Sequence, residues 1–197
     1  MLEIKDVSKS FSKTLFQNIS FTIEQGQRLS IMGPSGAGKT TLLRCICGPD
    51  SFDSGSINLD GVNIQETPTE KRGIGLIFQK PVLYHHLDVS GNIKLGNKNA
   101  DVKEILELIQ LPGYGNRRVD ELSGGEAQRL ALGRSIVAEP RFLLLDEPFS
   151  SLDETLRKKL LQDTIELLEQ RKIGSILVTH NHEEAKLFSE NSILLED

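Results

Sequence analysis

A chain of 197 residues is long enough to bury the core of one domain, with or without an inserted subdomain, and two full catalytic domains would be a tight squeeze in it. Its apolar fraction of 38% and charged fraction of 26% exclude disordered and collagen-like classes. With 23 basic against 28 acidic side chains, a net charge of −5, it carries no overall electrostatic footprint for grasping nucleic acid, and no nucleic-acid partner is expected.

In chain order, "MLEIKDVSKSF" has no signal-peptide hydrophobic region, and no apolar run reaches the ~18–20 residues that cross a bilayer. A cytosolic chain is expected. Ile19, Phe21 and Ile23 alternate with Ser20 and Thr22, as in half-buried strands. "RLSIM" reads as a buried strand running into a glycine loop, and from Thr40 the pattern turns helical until Gly48 and Pro49 stop it. Cys45 and Cys47 stand two apart on that helix and point to nearly opposite sides, which suits two buried thiols better than a metal or redox site.

Val102, Ile105, Leu106 and Ile109 have the spacing of an amphipathic helix, closed by "LPGYG". A further helix is expected to begin near Glu126. "RFLLLDEP" suits a fully buried parallel strand, followed by a long helix with Leu156, Leu160, Leu161, Ile165 and Leu168 inward. "GSILVTH" repeats the buried-strand pattern, and "HEEAKLF" reads as a short helix. Strands alternating with helices predict an α/β fold with a parallel sheet, preceded by an antiparallel region.

Three stretches carry chemistry. "GPSGAGKT", Gly33 to Thr40, fits G-x-x-x-x-G-K-[ST] between a predicted strand and a predicted helix. Glycines there let successive N–H groups face an anion, Lys39 brings a mobile positive charge to phosphates, and Thr40 offers a hydroxyl to Mg2+. The bland alternative is a glycine turn with a surface lysine, which the strand–helix context argues against. "LLLDEP" sets Asp146 at a strand end, where it suits a metal, and Glu147 after it, where it suits a general base. In an extended segment the two would point apart, although acids also simply end strands. "LSGGE", Leu122 to Glu126, contains a capping box of Ser123 and Glu126, but a cap alone leaves the paired glycines unexplained.

Gly33 to Thr40, Gln79 in "LIFQK", "LSGGE", "FLLLDE", "SSLD" ending at Asp153, and His180 in "LVTH" stand in the order found in ATP-binding cassette (ABC) ATPases. The chain resembles that family over essentially its whole length. The resemblance implies a P-loop NTPase (RecA-like) α/β core with an N-terminal antiparallel β region and an inserted α-helical subdomain. Residues 1–197 would form one cassette, with 1–79 and 135–197 as β-subdomain and P-loop core and 80–134 as the helical, signature-bearing subdomain.

It also implies ATP and Mg2+ as cofactors. By position, Phe11 would stack on adenine, unless it is an ordinary core phenylalanine. Gly33, Pro34, Ser35, Gly36, Ala37, Gly38, Lys39, Thr40 and Thr41 would hold phosphates, and Thr40, Gln79 and Asp146 would hold the metal. Glu147 would be the base, supported by His180, Gln79 and Lys39. In the family the signature covers the γ-phosphate of ATP in a second cassette, so Ser123, Gly124 and Gly125 would serve the partner's nucleotide, and Asp153 would couple the two sites.

The implied partners are a second cassette, in an ATP-dependent homodimer, transmembrane permease subunits and a solute-binding protein, which places the chain on the cytoplasmic side of the membrane. Phe149 in "DEPFSSLD" and the segment "HHLDVSGNI" resemble subunits serving uptake of thiamine, iron, polyamines, sugars or oxyanions. The segment between Gln79 and Leu122 would receive a coupling helix of the membrane subunit. A soluble ABC-type ATPase uncoupled from transport and a small P-loop kinase are the alternatives. Asn181 and Glu126 depart from the usual Asp and Gln, His85, His86 and His182 have no motif role, and the ending at Asp197 suggests no C-terminal regulatory domain.

Overall fold

The computed structural model describes residues 1–150 and 152–195. Ser151, within the "SSLD" motif, and the last two residues of "SILLED" lie outside the described residues.

Two sheets organise the chain. The first is antiparallel, in the order β2-β1-β4-β5, from β1 (Leu2–Ser10), β2 (Thr14–Ile23), β4 (Ser54–Leu59) and β5 (Val62–Asn63). The second is parallel, in the order β6-β7-β8-β3-β9, from β3 (Arg28–Met32), β6 (Ile74–Ile77), β7 (Phe142–Asp146), β8 (Gly174–Val178) and β9 (Ser192–Leu194). Its connections include the helices α1 (Lys39–Cys47), α2 (Val89–Gly96), α3 (Val102–Leu108), α4 (Gly124–Val137), α5 (Glu154–Gln170) and α6 (His182–Phe188). The expected α/β fold, with its antiparallel region at the N-terminus, is present.

Parallel strands covered on both faces should read as continuous apolar runs, and β7 does. Phe142 and Leu144 face α1 (Leu42, Leu43, Ile46) and the antiparallel sheet (Leu2, Ile4, Ile23, Ile57). Leu143 and Leu145 face the opposite way, onto α4 (Leu132, Ile136), α5 (Leu160, Leu161, Leu168) and Phe188. Each such fully buried side chain contributes about 1.5–3 kcal/mol of transfer free energy. A third cluster joins Val89, Ile93, Ile105, Leu106, Ile109 and Leu111 to Leu130 and Val137 of α4. α4 therefore belongs to two cores at once, with Leu132 and Ile136 toward the sheet and Leu130 and Val137 toward the small helices.

α4 begins at Gly124, where the expected capping box sets its start: Glu126 N–H donates to Ser123 Oγ at 3.3 Å and Ser123 N–H to Glu126 Oε2 at 2.7 Å. One local expectation is corrected: Glu147 is not extended. Its φ of 45° turns the chain sharply out of β7 while its N–H still donates to the carbonyl of Val178 at 3.0 Å. Cys45 and Cys47 are both buried and free, and burial pushes Cys45 up to about 11, so it stays a neutral thiol at physiological pH.

Strand order positions the chemistry. β8 lies between β7 and β3, and β6 pairs with β7, so the chain leaves four parallel strands at one edge of the sheet. Those exits carry Gly33 to Gly38, Glu147, His180 and Gln79. Ligands of open parallel sheets sit outside this carboxyl edge.

Candidate nucleotide site

The loop from β3 to α1 is forced into shape by close contacts. Gly33 has φ 154°, and a Cβ there would stand 2.5 Å from the carbonyl oxygen of Leu195; at Gly38, φ 85°, it would stand 2.6 Å from Leu15 Cγ. Neither place accepts a side chain. Gly38 also leaves α1 without a side-chain cap and with no acid in its first turn, whereas Asp88, Asp101, Ser123, Asp153 and Asn181 cap the other five α-helices. The N–H groups at the start of α1 are thus left for an anion.

Lys39 is 7% exposed, and its Nζ donates to the carbonyls of Gly33 at 2.9 Å and Pro34 at 2.7 Å. The ammonium is held inside the loop. Thr40 Oγ1 donates to the carboxylate of Asp146, with contacts of 2.8 and 3.1 Å. Burial pushes the Asp146 carboxyl above its ordinary value, and the neighbouring Glu147 charge pushes the same way, against the Thr40 hydrogen bond and the Lys39 charge. No cluster of three His, Cys, Asp or Glu that could hold a metal exists among the described residues. One hydroxyl beside one carboxylate fits Mg2+, which is commonly held by one or two protein oxygens together with water and phosphate.

Beside this pair, Glu147 is the meeting point of the other two exits. Gln79 Nε2 lies 3.4 Å and His180 Nδ1 3.1 Å from Glu147 Oε2. The turn holding Glu147 is tied by Ser150, whose N–H and hydroxyl donate to the Glu147 carbonyl at 3.2 and 3.0 Å. The segment holding His180 is braced by the Thr179 hydroxyl on buried Glu184 at 2.6 Å and by Asn181, whose side chain caps α6.

A cleft of about 560 Å³ opens over these groups, lined by Phe11, Leu15, Ser35, Gly36, Gly38, Lys39, Thr40, Thr41, Gln79, Glu147 and His180. Gly33, Pro34 and Ala37 form the loop behind it, and Asp146 lies beneath Thr40. Phe11 is 68% exposed, so it is not a core phenylalanine; the Lys9 ammonium sits 5.2 Å from its ring centroid. Leu15 is the lining residue that sequence reasoning missed; its place in the alternation of β2, one residue before buried Phe16, was the signal available.

Ser123, Gly124, Gly125 and Asp153 are not in this cleft. They stand at the starts of α4 and α5, which meet where Leu152 packs on Gly125. A Cβ at Gly125 would lie 2.6 Å from Leu152 Cδ2, so Gly125 is glycine for an internal reason. At Gly124 a Cβ would meet nothing within 4 Å and φ is not positive. The fold does not require that glycine. Asp153 caps α5, its Oδ1 accepting from Leu156 N–H at 3.0 Å.

The family model described as ABC transporter matches residues 16–150. The chain belongs to that family. It is 40% identical over 205 residues to the spermidine/putrescine import ATP-binding protein PotA of Haemophilus influenzae, covering 99% of this chain and 55% of that protein. To the Fe(3+) ions import ATP-binding protein FbpC of Escherichia coli it is 38% identical over 204 residues, covering 98% and 59%. The chain thus spans little more than half the length of these curated relatives.

Among solved structures, the ATP-binding cassette MJ0796, dimeric in a post-hydrolysis state with ADP and Pi, superposes with a TM-score of 0.88 at 28% identity, covering 99% of this chain and 94% of that one. A dimeric structure of the same bacterial ABC transporter cassette gives 0.89 at 29% identity, covering 100% and 94%. The fold of this ABC family chain is therefore the P-loop NTPase cassette, antiparallel sheet included. Among its described residues no helix is long and apolar enough to cross a membrane.

Proposed function

We propose that this chain binds and hydrolyses ATP and pairs head to tail with a second cassette to drive a membrane transporter of the import class. The observation that carries the reading is the convergence of Lys39, the Thr40–Asp146 pair, and Glu147 with Gln79 and His180 on one cleft, whose lining does not include Ser123 to Gly125.

Each side chain has a defined task. The uncapped start of α1 and the Lys39 ammonium bind the β and γ phosphates, and exposed Phe11, beside Leu15, offers a ring face to adenine. Thr40, Asp146 and Gln79 would hold Mg2+, which would supply positive charge to offset that of the phosphates. Glu147 accepts the proton of the attacking water, and His180 and Gln79, already on Glu147 Oε2, orient that water and the carboxylate. Stabilising positive groups around a loose phosphoryl-transfer transition state are what this chemistry demands.

The start of α4 supports the two-cassette part. Ser123 Oγ already accepts from Glu126, which leaves its O–H free to donate, and the Gly124 backbone is open to close approach. A helix N-terminus favours a phosphate that ATP has and ADP lacks, so ATP would favour the closed pair. Ser123→Arg is expected to leave ATP binding to the monomer unchanged and to abolish ATP-dependent pairing in sizing chromatography. An unaltered dimer in that variant would remove Ser123 from the interface.

Import is supported by the likeness to PotA and FbpC, each named an import ATP-binding protein. Permease docking is supported by exposed Val82, Tyr84 and Leu95, two of which line a groove of about 530 Å³ with Phe78 and Arg134. A solute-binding protein and a place at the cytoplasmic face of the membrane belong to the same reading, as does the division into 1–79 with 135–197 against 80–134. The test is product analysis. Orthophosphate and ADP from MgATP are expected with no phosphorylated small molecule, whereas a phosphorylated acceptor would identify a kinase.

A further inference from the structure

α4 carries two polar side chains that the reaction as described does not use, and both reach the segment holding Gln79. Gln128 is 3% exposed, and its Nε2 donates to the Phe78 carbonyl at 3.0 Å. β6 has ended at Ile77, so the sheet ladder no longer holds that carbonyl. Six residues further along α4, Arg134 Nη2 donates to the Val82 carbonyl at 2.6 Å. The segment from Phe78 to Val82, with Gln79 inside it, is therefore strapped to α4 at both ends.

The chemistry of the straps argues for a task beyond stability. Gln128 Oε1 and Arg134 Nη1 are buried without a hydrogen-bond partner among the described residues. Gln128 thus carries an unsatisfied polar atom into a packed region for one bond, to the Phe78 carbonyl, which methionine would leave without that donor. Arg134, whose guanidinium also lies 5.4 Å from the Tyr84 ring centroid, does the same for the Val82 carbonyl. The two bonds secure the path of the backbone on either side of Gln79. Gln79 in turn reaches Glu147 Oε2.

We propose that Gln128, with Arg134, is a positioning residue that fixes Gln79 against Glu147, and that α4 thereby joins the two nucleotide sites. On the two-cassette reading its first turn serves the partner's nucleotide, while its middle holds the segment carrying Gln79 of its own chain's cleft. The inference rests on the reading that the chain hydrolyses ATP through Glu147 and Gln79. A helix hydrogen-bonded to the backbone on both sides of Gln79 is a physical route for such positioning, and Gln128 and Gln79 should then be energetically non-additive.

The test is a double-mutant cycle on the purified full chain, measuring orthophosphate release against MgATP for wild type, Gln79→Ala, Gln128→Met and the double variant. Gln128→Met is expected to lower kcat about tenfold, with KM for ATP within about twofold and melting still cooperative. On the Gln79→Ala background it is expected to add no further loss. Independent losses that multiply, or an unchanged kcat, would overturn the inference. Arg134→Met supplies the second arm and should show the same dependence on Gln79; if Gln128→Met does not melt cooperatively, the Arg134 cycle decides. A wild-type chain that releases no orthophosphate contradicts the hydrolysis reading itself, whereas active wild type with multiplying losses overturns the strap alone.

Discussion

Glu147→Gln is expected to bind MgATP with at least wild-type affinity while releasing orthophosphate about 100-fold more slowly or worse. The change is nearly isosteric. It keeps an oxygen acceptor within reach of Gln79 Nε2 and His180 Nδ1, which now lie 3.4 and 3.1 Å from Oε2, and it leaves the turn tied by Ser150 intact. What it removes is the ability to take a proton. It also removes a charge that pushes the Asp146 carboxyl upward, so Asp146 ionises more readily and the metal side of the cleft is not weakened. Equilibrium titration with MgATP and a phosphate-release assay separate the two effects. Turnover at the wild-type rate would take Glu147 out of the base role.

Lys39→Ala is expected to weaken MgATP binding by about 100-fold or more, since charge-assisted hydrogen bonds to an anion contribute about 1.5–3 kcal/mol each. The lysine is buried at 7% exposure with Nζ on the Gly33 and Pro34 carbonyls, so the loop is built around a compact ammonium. Arginine is expected to fail as well, because a planar guanidinium does not fit a place shaped for a point charge. Melting of the variant without nucleotide controls for loss of structure. An affinity within twofold of wild type would mean that the loop is a turn and not a phosphate site.

Local pattern carried much of this molecule. The glycine loop, the buried run into Asp146 and the alternation in β2 each depend on residues a few positions apart, and each stands where the pattern placed it. The resemblance added the order of motifs, and the cleft gathers Phe11, Lys39, Thr40, Gln79, Glu147 and His180 side by side. What was not legible depends on partners far along the chain. Nothing local says that β3 lies between β8 and β9, yet that pairing sets the loops side by side.

The left-handed turn at Glu147 is invisible to a pattern that sees acids following an apolar strand. The paired glycines of "LSGGE" looked alike in sequence and differ in cause. Gly125 makes room for Leu152, twenty-seven residues on, whereas Gly124 has empty space before it. Nothing around Gln128 in the sequence marks it, and only the end of β6 beside it shows where its amide goes.

The most direct test of the central claim is light scattering of purified Glu147→Gln protein, first with ADP and then with MgATP. Two cassettes closing over two nucleotides predict a change from 21.9 kDa to twice that mass with MgATP and no change with ADP. A mass of 21.9 kDa under saturating MgATP, with binding of the nucleotide measured in the same sample, would contradict the head-to-tail pair.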